Sequence, residues 1–234
     1  MRPALHEFIA DCYGDQSAVR DVGLALVTAL LQQQCPRRGG GKLMVLWCQR
    51  QKEELEFGRL YGPGLKGLGL PPDQLVVVTG RRDVDCLWAM EQGVCSGSLV
   101  AVIGAVDHLD MIASRRLALA AATHRTWCLL LPAKHGRAPS AAETRWRIKA
   151  LPSSRDERDG KLLGRPRWQL ALERNRHGRI GRWIAEWDHE AHRFHLATPM
   201  GNQSVAEGNG SNRPARLGDP QKASSDVIAF DRTG

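Results

Sequence analysis

Over the first 133 residues, short apolar runs alternate with segments in which apolar residues recur at three- and four-residue steps. No other feature constrains the fold as strongly. The runs predict strands at residues 5–10, 43–48, 74–79, 99–103 and 126–131, and the segments between them predict helices at 17–33, 84–95 and 113–124. Strands that alternate with helices predict an α/β fold with a mostly parallel sheet flanked by helices.

Several of these runs are almost continuously hydrophobic, as in LMVLW, LVVV, LVAVI and CLLL. Such runs are typical of strands that are covered on both faces. The stretch 61–72, YGPGLKGLGLPP, combines glycines with prolines and predicts a loop. We therefore expect one α/β core over residues 1–133.

The pattern changes after residue 131. Residues 144–151, 167–174, 183–188 and 193–197 alternate between polar and apolar in the manner of strands, with turn signals at residues 159–160, 177–178 and 188–191. They predict C-terminal antiparallel β-hairpins over residues 134–197 that extend the same domain. Residues 198–234 are rich in Gly, Asn, Ser and Pro, which predicts a disordered tail.

A chain of 234 residues with 42% hydrophobic and 25% charged residues has the composition of a globular protein. No apolar run approaches the roughly 18 residues that span a bilayer, and the first residues lack the order of a signal peptide, so we expect a cytoplasmic protein without membrane contact. The cysteines form no CxxC pair and lie mostly in apolar stretches, which favours reduced thiols that pack as small hydrophobes. They are Cys12, Cys35, Cys48, Cys86, Cys95 and Cys128.

The net charge of +8 is concentrated in one part of the chain. Residues 134–195 contain 15 Lys/Arg against 8 Asp/Glu, whereas the flanking parts are nearly balanced. Such a segment is expected to contact phosphate or an acidic partner, although a basic surface that contacts only solvent is also common.

Arginine and tryptophan are interleaved in this basic segment. Arginine binds phosphate and aromatic rings stack on unpaired bases, so the mixture is typical of single-stranded nucleic-acid binding. Alternatively, the tryptophans point into the core and the arginines face water. The candidate nucleic-acid or partner-binding residues are Arg145, Arg147, Arg165, Arg167, Trp168, Arg174, Arg176, Arg179 and Arg182.

Residues 14–21, GDQSAVRD, lie between a predicted strand and a predicted helix, where a phosphate-binding loop would be found. Such a loop has the pattern GxxxxGK[ST], because the second glycine admits phosphate, the lysine reaches the terminal phosphates and the hydroxyl holds magnesium. After Gly14, these three positions hold Val19, Arg20 and Asp21. The branched valine and the negative aspartate oppose phosphate binding, so we predict a degenerate site with no cofactor.

ATPases of this kind also place a carboxylate at the tip of a central apolar strand. The predicted strand 99–103 is followed instead by Gly104 and Ala105. We expect Asp107 and Asp110 to lie in an exposed loop or at a helix start and not to bind metal.

Two further motifs are incomplete. RGGGK at residues 38–42 precedes a strand and has no Ser/Thr after the lysine, which predicts a flexible connector. HEAHRFH at residues 189–195 misses the HExxH zinc pattern by one position, because Arg193 stands where the second histidine is needed. In a strand at 193–197, His192 and His195 would point to opposite faces, so no metal site is predicted.

The second half contains the strings SAAETRWRI (140–148), LGRPRWQLALERNRHGRIGRWIAEW (163–187) and RF (193–194), and the first half contains LYGPGLKGLGL and LWAMEQGV. These strings resemble the ImuA family of bacterial damage-inducible (SOS) mutagenesis proteins, over about residues 5–197. The resemblance implies a RecA-like core related to RecA and to the division inhibitor SulA, without a dependable ATP site. It also implies a role in DNA repair by error-prone translesion synthesis, on the nucleoid during DNA damage. The implied partners are an ImuB-like polymerase-fold protein, RecA and a translesion polymerase α subunit, and single-stranded DNA is a further candidate.

In RecA, the strand equivalent to LMVLWC is followed by a glutamate that activates water, and the counterpart here is Gln49, whose amide cannot accept the proton. The leading interpretation is therefore a non-catalytic accessory protein that bridges the partners of a translesion polymerase complex. Two alternatives stay open: a DNA-dependent ATPase of recombinase type that uses Arg20, and a SulA-like inhibitor of cell division.

Overall fold

The computed structural model describes residues 1–34, 42–133, 139–154 and 163–200, with only the backbone described for 197–200. The helices are α1 (Gln16–Gln34), α2 (Gln51–Phe57), α3 (Gly62–Leu68), α4 (Asp83–Cys95) and α5 (Met111–His124). The strands are β1 (Leu5–Ala10), β2 (Met44–Arg50), β3 (Leu75–Gly80), β4 (Leu99–Val106), β5 (Trp127–Pro132), β6 (Thr144–Leu151), β7 (Arg167–Asn175), β8 (Gly181–Asp188) and β9 (Arg193–Met200).

All nine strands form one sheet in the order β3-β2-β4-β5-β1-β6-β7-β8-β9. Strands β1 to β6 run parallel, and β7, β8 and β9 continue the sheet in antiparallel fashion. The predicted α/β fold with C-terminal antiparallel strands is confirmed. We call the side where β1 to β6 end the carboxyl edge and the opposite side the amino edge. Because β7 runs in reverse, the β7–β8 turn lies at the amino edge and the β8–β9 turn at the carboxyl edge.

Each face of the sheet has its own core. On one face, α1 packs on apolar residues from both the parallel and the antiparallel strands, including Trp47, Ile148 and Trp187, all fully buried. On the other face, Cys86 and Met90 of α4 belong to a second buried cluster, to which α5 also contributes. The first core joins the two predicted parts of the chain into one packing unit.

The sequence prediction was wrong in three places. Residues 61–72 are not only loop, since they contain α3, which begins beside Pro63 and ends at Gly69 in the left-handed conformation (φ +94°). Helix α2 was not predicted. The run LVVV is not covered on both faces, because β3 lies at the end of the sheet and Val76 and Val77 are 44% and 47% exposed.

Other findings concern element ends and thiols. Strand β9 continues to Met200, so the first three residues of the predicted tail belong to the sheet. The rest of the predicted tail lies outside the described residues. Cys35 and most of the predicted connector at 38–42 also lie outside them. The prediction of buried thiols is confirmed for Cys48, Cys86 and Cys128, whereas Cys12 and Cys95 are exposed. Within the described ranges, no helix is both long and apolar enough to cross a membrane.

Candidate functional site

The loop between β1 and α1 is short and contains a buried carboxylate, that of Asp15. Gly14 lies in a 3₁₀ turn (Tyr13–Asp15), and α1 begins directly after it. The buried Asp15 carboxylate accepts hydrogen bonds from the backbone N–H groups of Cys12 (3.2 Å) and Ala150 (2.8 Å). The amino end of a helix attracts anions, and here a carboxylate of the protein already lies beside it.

The three residues at the altered loop positions lie in the helix. Val19 is 1% exposed and packs in the core, and Asp21 is exposed. The Arg20 guanidinium forms an ion pair with the buried Glu53 carboxylate and lies 4.3 Å from the centre of the Phe57 ring. Burial lowers the pKa of Arg20 and raises the pKa of Glu53. Arg20 is thus paired with an internal carboxylate.

A carboxylate does lie at the tip of β4. The strand extends to Val106, three residues beyond its predicted end, so Asp107 follows it directly. The expectation of an exposed position is wrong for Asp107, which is half-buried and accepts a hydrogen bond from Nη1 of Arg50 at 2.5 Å. Asp110 starts α5 as predicted, because its side chain accepts a hydrogen bond from the N–H of Ala113.

The packing of α4 on β4 explains why residue 104 is a glycine. A Cβ there would lie 2.1 Å from the sulfur of Met90, so only glycine lets α4 pack this closely on the sheet. Gln49 is 2% exposed and its side-chain oxygen accepts a hydrogen bond from the Trp47 indole at 2.9 Å. Both residues serve the core.

The candidate basic residues fall at two ends of the sheet. Arg165 and Arg167 lie at the carboxyl edge, where β7 begins. Arg174 lies at the amino edge, where β7 ends, together with Arg176, Arg179 and Arg182 in or beside the β7–β8 turn. They do not form one continuous strip.

Most of these residues are held by contacts within the protein. Arg145 is largely buried and its Nε donates to Glu7 at 2.7 Å, and Trp168 is 5% exposed in the core. Arg174 donates to the backbone oxygens of Ser140 and Ala142, and burial lowers its pKa. The other ion pairs are Arg147–Glu173, Arg165–Asp188 and Arg167–Glu186.

Three of the candidate arginines remain available. Arg176, Arg179 and Arg182 are exposed, and none has an ion pair with a residue that the structure describes. They are close in sequence, with Arg176 and Arg179 in the β7–β8 turn and Arg182 at the start of β8. Among the candidate residues that the structure describes, these three can contact phosphate without first breaking an internal ion pair.

A groove of about 560 Å³ opens beside this turn, between α1 and the face of β6 and β7. Its floor is apolar, with Trp146 on one wall, 5.8 Å from the ring of Trp183. Asn175 and His177, from the end of β7 and the β7–β8 turn, also line it. The groove is lined by Met1, Arg2, Phe8, Val22, Leu26, Glu143, Thr144, Trp146, Ile148, Leu170, Leu172, Asn175, His177 and Phe194.

No protein-family model matches the sequence. Two relatives, both named Protein ImuA, come from Caulobacter vibrioides strain NA1000 / CB15N and from strain ATCC 19089 / CIP 103742 / CB 15. Each is 33% identical to this chain over 202 residues, which cover 81% of this chain and 79% of the relative. The chain belongs to the ImuA family. The resemblance seen in the short strings is thereby confirmed over most of the chain.

Sequence reasoning did not identify the hydrogen bonds around His6 that link β1 to β6 at the amino edge of this ImuA family member. His6 is fully buried: its Nε2 donates to the Arg2 carbonyl, its Nδ1 accepts from the Thr144 hydroxyl, and that hydroxyl accepts from the Trp146 indole. Burial lowers the pKa of His6 to about 4, so the ring is neutral. A histidine inside an apolar strand was the only available signal, because its partner Thr144 lies 138 residues away.

The three histidines near the β8–β9 turn do not form a metal site. His192 lies in a left-handed turn (φ 47°) against Gly69, and His195 faces Asp188 at 3.3 Å. Within the described parts of the chain, no cluster of His, Cys, Asp or Glu side chains is arranged to hold a metal ion.

Proposed function

We propose that this chain is a non-catalytic accessory protein of error-prone translesion synthesis in the SOS response, which acts by binding and not by turnover. The observation that carries the proposal is the carboxyl edge of the sheet, where internal ion pairs engage the cation that a nucleotide would need, Arg20, and the carboxylate that its magnesium would need, Asp107. Arg20 is paired with Glu53, and Arg50 with Asp107. ImuA family membership supports the connection with damage-inducible mutagenesis.

The partners that fit this role are an ImuB-like polymerase-fold protein, RecA and a translesion polymerase α subunit. We propose that the parallel part of the sheet is a RecA-like core that presents docking surfaces to them. The order β3-β2-β4-β5-β1, with helices on both faces, supports this relation. The site of action would be the cytoplasm, at the nucleoid during DNA damage.

Single-stranded DNA is the nucleic acid that suits the amino edge. Arg176, Arg179 and Arg182 supply exposed positive charge, and the neighbouring groove supplies an aromatic wall at Trp146 on which an unpaired base can stack. Duplex DNA hides its bases and gives such a wall no target. The other candidate arginines would support this surface by holding β6, β7 and β8 in place.

The test combines partner capture with a nucleotide assay. Purified full-length chain, immobilised, is expected to retain a purified ImuB-like protein or RecA, and retention of neither would overturn the accessory role. The same preparation is expected to release no phosphate from ATP, with or without single-stranded DNA.

The observation that favours a second candidate, a DNA-dependent ATPase, is Asp107 at the tip of β4. Phosphate release that depends on DNA and disappears in Asp107→Asn would establish this activity in place of a purely binding role. Arg50→Ala, which frees Asp107 from its ion pair, tests whether the pairing itself suppresses magnesium binding.

A further inference from the structure

The groove between α1 and the face of β6 and β7 is largely apolar. Nine of the fourteen described residues that line its volume of about 560 Å³ are apolar, and most of these belong to the buried core. Folded proteins are close-packed and seldom leave an apolar space of this size unfilled. Pockets of about 300–1,000 Å³ with such a lining are typical ligand sites. The groove is therefore suited to an apolar occupant.

The described part of the chain ends beside this groove. Leu172, one of the lining residues, pairs with Gly181 of β8, and the next residue of β8, Arg182, pairs with Met200 of β9. Neighbouring strands lie about 4.8 Å apart, so Met200 is roughly 10 Å from Leu172 across the sheet. The chain therefore continues after Met200 from the amino edge of the sheet, close to the groove.

Residues 201–234 contain one segment that suits such a groove. Most of this stretch is polar or consists of Gly and Pro, but residues 227–230, VIAF, form its longest apolar run. The 26 residues at 201–226 connect this run to Met200, and at the flexibility of a Gly- and Ser-rich linker they span roughly 28 Å on average. That span exceeds the distance to the groove. A segment tethered in this way has an effective concentration in about the millimolar range, so a weak affinity suffices to hold it.

We propose that residues 227–230 dock in the groove of the same molecule and bury their apolar side chains against its lining. The residues directly before and after this run are aspartates, Asp226 and Asp231. Arg176 and Arg179 of the neighbouring β7–β8 turn are exposed and carry the opposite charge. Charge complementarity of this kind supports the apolar contact and favours one orientation of a docked segment.

Docking of this segment competes with single-stranded DNA. The docked run covers Trp146, which lines the groove and is the aromatic wall on which an unpaired base would stack. The competition rests on the proposed function, whereas the docking itself does not. The apparent DNA affinity of the full chain is then reduced to the extent that the groove is already occupied.

The first test locates the segment without DNA. The photoreactive analogue benzoylphenylalanine replaces Phe230 in the full chain, and irradiation of dilute protein is expected to give an intramolecular cross-link to lining residues such as Leu170 or Leu172, identified by mass spectrometry. The matched control carries the same analogue at Leu217, an apolar residue outside the run, and should give no cross-link to the groove. Cross-links from position 230 that reach only another copy or only another surface would overturn the docking, as would equal cross-linking from both positions.

The second test measures the consequence for DNA. Ile228→Ser removes an apolar side chain from the run and should tighten the binding of a single-stranded oligonucleotide by about tenfold, the change expected when the groove is occupied in about nine-tenths of the molecules. Leu217→Ser makes the same kind of change outside the run and should leave the affinity unchanged. Fluorescence anisotropy on the full chain measures both variants.

The two tests separate the docking from the DNA role. A groove cross-link together with unchanged DNA affinity in Ile228→Ser would overturn the competition and leave the docking established. If neither the wild type nor either serine variant bound the oligonucleotide, the proposed DNA contact would be overturned together with the competition, and the cross-link alone would decide the docking.

Discussion

Arg20 is the residue at which a structural role and a nucleotide-binding role predict different results. Replacing it with alanine leaves Glu53, whose side chain is 3% exposed, without its partner. A buried charge that loses its partner is strongly destabilising, so we expect the free energy of unfolding to fall by about 3 kcal/mol in urea denaturation. Arg115→Ala, at an exposed position on α5, is the control and should have little effect. Unchanged stability combined with a loss of ATP binding would contradict the structural role.

The buried His6 ring predicts that the stability of the folded protein depends on pH. Its pKa is about 4 in the folded chain because burial disfavours the charged ring, against 6.5 when exposed. Between these values the unfolded chain binds a proton at His6 that the folded chain does not, so stability should fall as the pH drops from about 6.5 to 4, by on the order of 3 kcal/mol in total.

Denaturation curves at several pH values would measure this loss. The variant His6→Gln removes the titrating group, so the difference between the two proteins isolates its contribution from that of the carboxylates. A wild-type stability that declines no faster than that of the variant between pH 6.5 and 4 would refute the assignment.

At the scale of the element, the β7–β8 turn is the part of the basic segment expected to act on DNA. The double change Arg176→Glu and Arg179→Glu should weaken binding of an oligonucleotide and flatten its salt dependence, because each phosphate contact on a single strand contributes about −0.7 to the log–log slope. Fluorescence anisotropy at several salt concentrations measures both quantities. Arg115→Glu makes a charge change on α5, far from the turn in the chain, and should alter neither.

Arg145 gives the contrasting case in β6. Because its guanidinium pairs with the buried Glu7, Arg145→Ala should lower the free energy of unfolding by about 3 kcal/mol. If Arg145→Ala weakened DNA binding in a fully stable protein while the turn variant had no effect, the division between structural and DNA-binding arginines would be reversed.

Periodicity located all nine strands and all but the short helices to within a few residues, because side-chain alternation is local information. It placed LVVV among fully covered strands, since a run of valines has the same pattern in the centre of a sheet and at its edge. Helices α2 and α3 were missed because each has only seven residues and depends on packing for its stability.

At the scale of the whole molecule, the parallel and antiparallel parts share one sheet and one core, and we expect them to unfold together. Strand β6 pairs with β1 inside the sheet, and Ile148 and Trp187 pack in the same core as α1. A fragment of residues 1–133 would expose both the edge of β1 and part of this core. We therefore expect it to be insoluble or unfolded, whereas the full chain should show one unfolding transition that coincides by circular dichroism and tryptophan fluorescence. A folded, soluble fragment would show that the core is a separate domain.

The sequence alone determined the α/β class, the position of most elements, the concentration of positive charge after residue 133, the altered phosphate loop and the resemblance to the ImuA family. These properties depend on residue type and on neighbours within a few positions. The tertiary structure decided which strand lies at the edge, which arginines are available and where carboxylates meet cations. Glu7 lies 138 residues from Arg145 and Glu53 lies 33 residues from Arg20, and contacts across such distances exist only once the chain is folded.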